Sequence, residues 1–333
     1  MTNAKNHMTV LVFARDPGAA NHLVALIEML REETPISDKI RRVMGPNCLE
    51  PRFEIYGRTY ALSVWQRAGM AAKDWDETVG KDASAEDVVS GTKPDIILTG
   101  TSDIDETTDC ALWRAAARVG ITSIAIVDHE SSADFRFQDA GGPVWPDHIL
   151  VPDAKVADAV RATGAPDTSI IETGNLHIAR TARRRDAISS DIIAELRSNW
   201  GAQANDRVVL FASECSREMA ALGRSASYDE VALLAFLADE LAEGGAVGPL
   251  ANNPAETLLV VRHHPRDDRK KYAGITVQPP LRMTCSEAGS PEEAVLASDL
   301  VVGMQSSLLL EAAALGVPAH SLTGWDQLES IAV

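Results

Sequence analysis

The chain has 333 residues, 45% of them hydrophobic, and carries 48 acidic against 31 basic side chains for a net charge of −17. That length predicts two domains with sizeable cores, and the acidic balance excludes nucleic acid as a partner, because polyanion binding needs a basic field. No apolar run approaches the ~18 residues of an integral membrane segment, and the run at 10–14 is too short for a secretory leader and ends in Arg15-Asp16. The four cysteines (Cys48, Cys110, Cys215, Cys285) contain no C-x-x-C pair. They predict neither a zinc site nor a disulfide framework, and with them a cytoplasmic setting.

In chain order, residues 9–14 form a continuous apolar run, the pattern of a strand buried on both faces. Asp16-Pro17-Gly18 turns the chain into a helix over 19–31, with Leu23, Leu26, Ile27 and Leu30 on one stripe. Periodicity is weaker over 35–92, where 53–56 and 60–64 read as short strands. Strands follow at 95–99, 122–127, 147–151 and 169–172, with helices at 106–119 and 153–163 between them. A second series begins after Gly174-Asn175. It has helical sequence over 178–200, a strand at 207–212, a helix at 228–243, and strands opening at Thr257, Ile275, Asp299 and Ala319. Such alternation predicts an α/β chain with doubly wound parallel sheets. The expected architecture is two Rossmann-like domains facing across a cleft: an N-terminal domain at 1–175, a linker helix region at 176–195 and a C-terminal domain at 196–333.

Chemistry-bearing residues gather where strands end. The run 257–261 delivers Arg262-His263-His264-Pro265-Arg266, and 299–303 delivers Gln305-Ser306-Ser307 at the head of an apolar helix. Open α/β sheets bind ligands at the carboxyl ends of their strands. An imidazole and guanidinium groups beside hydroxyls at a helix N-terminus suit a nucleotide phosphate. Ser306 has a second reading as a simple N-cap, and so has Ser213, which follows 207–212 where a donor phosphate is often contacted. In the first half, Asp128-His129-Glu130 after 122–127 is the densest titratable cluster. Asp16 and His22 flank the first loop, and Asp103 lies in Thr101-Ser102-Asp103. Capping is the alternative for Asp16 and Asp103, whereas Asp128-His129-Glu130 exceeds what a cap needs. The motifs G-x-x-x-x-G-K-[ST], G-x-G-x-x-G after the first strand, G-x-S-x-G and H-E-x-x-H are all missing.

The second half resembles the donor domain of GT-B glycosyltransferases over about 205–320. It is most similar to bacterial sialyltransferases, Kdo-type capsule transferases and CDP-glycerol-dependent polyol-phosphate transferases. The resemblance rests on His264-Pro265, on Ser306-Ser307, and on Glu311-Ala312 followed by Leu315-Gly316-Val317-Pro318. The first half resembles these enzymes by topology alone, and the acidic motif of sialyltransferases is not recognisable.

The resemblance implies a metal-independent transferase of polysaccharide biosynthesis. It would move a sugar-type group from a nucleotide-activated donor, cytidine favoured, to a small-molecule or glycan acceptor, with no cofactor. His264 would stabilise the departing phosphate, Ser306, Ser307, Arg262, Arg266 and Ser213 would bind it, and Glu311 would hold a ribose or sugar hydroxyl. Among the first-half acids Asp128 and Glu130, with His129, and Asp16 are the candidate bases, and His22 and Asp103 are acceptor-side. Two alternatives stand beside it: an epimerase or hydrolase of a nucleotide sugar on the same fold, related epimerases carrying H-x-E where Asp128-His129-Glu130 falls, and a non-catalytic sugar- or nucleotide-binding protein.

Overall fold

A computed structural model describes residues 7–32, 35–45, 51–80, 84–102, 106–221, 223, 228–244, 256–325 and 328. The chain divides into two compact units, Met1–His177 and Ile178–Val333.

In the first unit the strands are β1 (Thr9–Ala14), β2 (Arg52–Gly57), β3 (Ala72–Asp74), β4 (Ile96–Thr99) and β5 (Thr122–Ile126), then a short hairpin of β6 (Gln138–Asp139) and β7 (Gly142–Pro143), and β8 (His148–Val151) and β9 (Ile170–Glu172). Seven of them form one sheet in the order β3-β2-β1-β4-β5-β8-β9. Every neighbouring pair in it is parallel. Helices cover both faces. Leu23, Leu26 and Ile27 of helix Pro17–Met29 pack with Val10, Val12 and Leu98 on one side, and Leu112 and Ala115 of helix Thr108–Val119 pack with Leu11 and Ile97 on the other. Double coverage is why these strands are apolar throughout instead of alternating.

The second unit contains β10 (Arg207–Ala212), β11 (Thr257–Arg262), β12 (Arg282–Cys285), β13 (Leu300–Gly303) and β14 (Ala319–Ser321). Their order is β12-β11-β10-β13-β14, again wholly parallel. In both sheets the order reverses beside the first strand: between β1 and β4, and between β10 and β13. In open α/β sheets such switch points are where ligands bind, outside the carboxyl ends of the strands.

Three predicted elements differ. Residues 60–64 belong to helix Tyr60–Arg67, not a strand. Ala61, Val64 and Trp65 are its buried residues, spaced three and four apart, so the spacing is helical. Ile275 lies in an irregular segment, and the edge strand is Arg282–Cys285. The helical stretch at 178–200 is two helices, Leu176–Arg184 and Ser190–Asn199, the second capped by Ser189, whose hydroxyl accepts the Ile192 N–H. Among the described residues no helix is long and apolar enough to cross a membrane.

Candidate functional site

In the second unit β10, β11 and β13 end nearly level, with Ala212 paired to Arg262 and Phe211 to Val302. The loops that follow meet around the β10 loop. Ser213 Oγ hydrogen-bonds the Asp267 carboxylate and the Tyr272 hydroxyl; with the serine proton on the carboxylate, Tyr272 is the donor. Glu214 Oε1 accepts the backbone N–H groups of Met304 (3.2 Å) and Gln305 (2.7 Å), and the Tyr228 hydroxyl donates to Oε2. Ser213 therefore ties this loop to the segment after β11, and Glu214 ties it to the segment after β13.

Asp267 organises the β11 side. Its Oδ2 accepts the His264 backbone N–H at 2.9 Å, and its Oδ1 pairs with Lys271 Nζ at 2.8 Å. Lys271 also contacts Glu230 (2.5 Å) and Glu218 (2.9 Å), although its side chain is only 3% exposed. Burial would lower the Lys271 pKa, but bonds to Asp267, Glu230 and Glu218 raise it overall. The stretch 262–271, basic by composition, is thus partly neutralised internally.

His264 sits on this frame. Its Nδ1 accepts the Arg266 N–H at 3.1 Å, so the neutral ring carries its proton on Nε2. Burial, only partly opposed by Asp267, lowers the pKa to about 4. At neutral pH the group is an uncharged N–H donor. His263 instead lies 3.7 Å from Asp267 and 5.4 Å, ring to ring, from Tyr272. Arg262 directs two N–H groups at the carbonyls of Ala288 (3.1 Å) and Gly289 (2.9 Å), which anchors the loop after β12. Arg266 Nη1 lies 4.0 Å from Met219 Sδ.

Ser306 is the N-cap of helix Ser307–Ala314, and its Oγ accepts the Leu308 N–H at 3.3 Å. Its hydroxyl proton is left for another acceptor. Ser307 is exposed at the first helical position, and Glu311 is buried one turn on.

In the first unit the loops after β1, β4 and β5 converge. Asp128 Oδ1 pairs with Arg136 Nη1 at 2.8 Å, and the same nitrogen donates to Thr101 Oγ1 at 2.7 Å. Arg136 also donates to the Ser131 carbonyl at 3.1 Å and is buried. A Cβ on Gly18 would stand 2.0 Å from Asp128 Oδ2, and one on Gly100 would stand 2.4 Å from the Ala19 Cβ. Close approach, not backbone torsion, demands glycine at both positions. Burial pushes the Asp128 pKa up, but Arg136, His22 and His129 outweigh it, so the carboxylate stays below its usual range.

His22 is 5% exposed, with its ring 6.1 Å from that of His177. Burial first, then His177, lowers its pKa to about 4 against the pull of Asp128. Glu130 pairs with Lys155 at 2.8 Å and lies 3.4 Å from His129 Nε2. Those two partners overcome burial and hold its pKa down. Asp16 pairs with Arg15 at 2.8 Å and does not cap the following helix with its side chain. Asp103 lies outside the described residues.

Sequence reasoning missed Asp109. It is 1% exposed and accepts the N–H groups of Ser102 (2.8 Å) and Cys110 (2.9 Å), and burial raises its pKa to about 7. It also missed Glu214 as more than a neighbour of Ser213, together with Arg136, Asp267 and Tyr272. The one available signal was the Asp267/Lys271 spacing of four. Elsewhere in the first unit a cavity of about 490 Å3 is lined by Arg52, Glu54, Tyr56, Lys73 and Asp87 among others, none from the loops after β4 or β5. Its cations are already paired with Glu54.

No family model matches the chain, and no curated protein matches it. Solved structures do. A putative UDP-N-acetylglucosamine 2-epimerase from Listeria monocytogenes aligns at 15% identity over 98% of this chain and 81% of its own, with a TM-score of 0.59. The UDP-GlcNAc 2-epimerase from Neisseria meningitidis, bound to UDP-GlcNAc, aligns at 15% identity over 95% of this chain and 82% of its own, with a TM-score of 0.60. Anabaena HepE, in complex with UDP-glucose, aligns at 13% identity over 94% and 80%, with a TM-score of 0.57. At such identity the likeness establishes the fold: two Rossmann-like α/β units of the GT-B type.

Proposed function

We propose that the chain is an enzyme of nucleotide-activated sugars that works on the sugar of its own donor, as an epimerase or a hydrolase. The observation that carries this reading is the joined set of loops at the carboxyl ends of β10, β11 and β13, with a neutral His264 offering Nε2–H after β11 and the Ser306-Ser307 helix head after β13. An uncharged N–H donor stabilises charge growing on a phosphate oxygen without giving up its proton. The hydroxyl of Ser306 and the head of its helix add further donors.

The first unit holds titratable carboxyls of its own. Asp128 is held anionic by Arg136, and Asp109 is a buried carboxyl whose pKa lies near neutrality. Two carboxyl groups with separated pKa values are the usual means of supplying base and acid at one pH. The structural neighbours named above are described as UDP-GlcNAc 2-epimerases or were solved with UDP-sugars. That favours uridine over cytidine and the donor's own sugar over a separate acceptor. Likeness to sialyltransferases, Kdo transferases or CDP-glycerol enzymes gains no support from these neighbours.

Incubation with UDP-GlcNAc or UDP-glucose alone, in D2O, tests the reading. An epimerase gives an inverted sugar nucleotide carrying deuterium at the inverted carbon, and a hydrolase releases free sugar. CMP- and CDP-activated sugars are run in parallel. Turnover that begins only when a hydroxyl acceptor is added would restore the transferase reading. Binding of nucleotide with no turnover under any condition would make the protein a binding module.

A further inference from the structure

The N–H donors at the end of β13 are already occupied by a carboxyl group of the protein, whose pKa burial raises against the pull of the donors it accepts. Both Met304 and Gln305 point their backbone N–H groups at Glu214 Oε1, at 3.2 and 2.7 Å. The Tyr228 hydroxyl completes a three-donor shell on the two carboxylate oxygens. Three converging donors on one anionic group is the arrangement a bound phosphate would use. Here the anion belongs to the protein, immediately before the Ser306 cap and at the switch point where a ligand anion is expected.

We infer that Glu214 is a specificity-determining residue that acts as a resident anion: a ligand phosphate gains the Met304 and Gln305 donors only by displacing its carboxylate. The inference rests on the nucleotide-binding reading of this unit and deepens it. Two physical consequences follow. Before displacement, a carboxylate a few ångströms from a phosphate repels it in a medium of reduced dielectric. After displacement, the ligand inherits donors already aimed at a negative group, with little reorganisation. The cost is charge-dependent, so it falls hardest on diphosphates, less on monophosphates, and not at all on the free nucleoside. Glu214 thereby grades ligands by phosphate charge.

A purely structural role makes the opposite forecast. If Glu214 only holds the β13 loop in place, any substitution loosens that loop and weakens every ligand. Glu214→Gln separates the two, because the amide keeps an acceptor oxygen for the two backbone N–H groups while removing the charge.

The test measures binding of uridine, UMP and UDP to wild type and Glu214→Gln by calorimetry, with the amide resonances of Met304 and Gln305 followed in parallel. The variant is expected to bind UDP about tenfold more tightly, UMP by a smaller factor, and uridine unchanged. On adding UDP the two amide resonances should shift in wild type as the carboxylate leaves. Weaker UDP binding in the variant, or an equal gain for uridine, overturns the inference and leaves the nucleotide reading standing. If neither protein binds any of the three, the nucleotide reading fails, and inorganic pyrophosphate becomes the probe. It should then move the Met304 and Gln305 resonances at lower concentration in the variant, and equal response in both proteins overturns the inference.

Discussion

His264→Ala distinguishes a hydrogen-bond donor from a proton donor. The wild-type ring is fixed by the Arg266 N–H on Nδ1, which leaves Nε2–H as its only donor, and its pKa of about 4 keeps it neutral. At pH 7 the imidazolium is populated at only about one part in a thousand, three decades from that pKa. A hydrogen bond to a charged phosphate oxygen is worth about 1.5–3 kcal/mol, which converts to a loss of about 10- to 150-fold in kcat/KM. A committed general acid would cost about 10²–10⁴-fold. The companion substitution His264→Gln retains an amide N–H and should recover most of the loss.

The assay is kcat/KM for conversion of the nucleotide sugar from pH 5.5 to 8.5, with circular dichroism to confirm that each variant is folded. No limb attributable to His264 should appear near pH 6.5. A loss well beyond about 150-fold that Gln fails to rescue, with such a limb in the wild-type profile, would refute the donor argument in favour of proton transfer. Undiminished activity in the alanine variant would remove His264 from the site.

Gly18→Ala should force Asp128 away from its bond to Arg136, because the new methyl would stand 2.0 Å from Oδ2; overpacking of this kind costs about 1–3 kcal/mol. In an Asp128→Ala background the same change should be nearly neutral, and chemical denaturation of the four proteins reads the coupling. Lys271→Met should lower stability by about 3–5 kcal/mol, since Asp267 and Glu230 would remain buried without their cation; urea titration that finds the variant as stable as wild type would show that the network relaxes. His22 and His264 both titrate at about 4 in the fold against an ordinary 6.5. The unfolded chain therefore takes up protons first. Stability present above pH 6.5 falls as pH drops toward 4, and replacing His22 with Gln should flatten that slope in thermal melts.

Much of this architecture was legible in the chain. The apolar runs of β1, β4, β10, β11 and β13 identified strands buried on both faces, because coverage by helices demands a continuous apolar stretch, a purely local signal. His264 and Ser306 could be placed at carboxyl ends for the same reason. The weaker elements were less legible. Tyr60–Arg67 has only 8 residues, too few turns for its helical spacing to stand out, and β12 at the sheet edge is only partly buried, so its pattern was faint against that of Ile275.

The sequence by itself determined the class of fold, the ends of the principal strands and the chemical kinds of residue gathered there. Only the tertiary structure decided which of them meet. Strand order places the switch points between β1 and β4 and between β10 and β13, and no local pattern encodes strand order. Ser213 finds Asp267 across 54 residues, and Glu214 finds Gln305 across 91. Protonation state is likewise a property of the assembled site. One carboxyl, Asp109, is buried with two backbone N–H donors and with Glu106 and Asp16 nearby, and its pKa rises to about 7, whereas Asp128 is half-buried beside a guanidinium and stays charged. The same side chain carries opposite tendencies because burial and charge neighbours, not residue identity, set the free energy of ionisation.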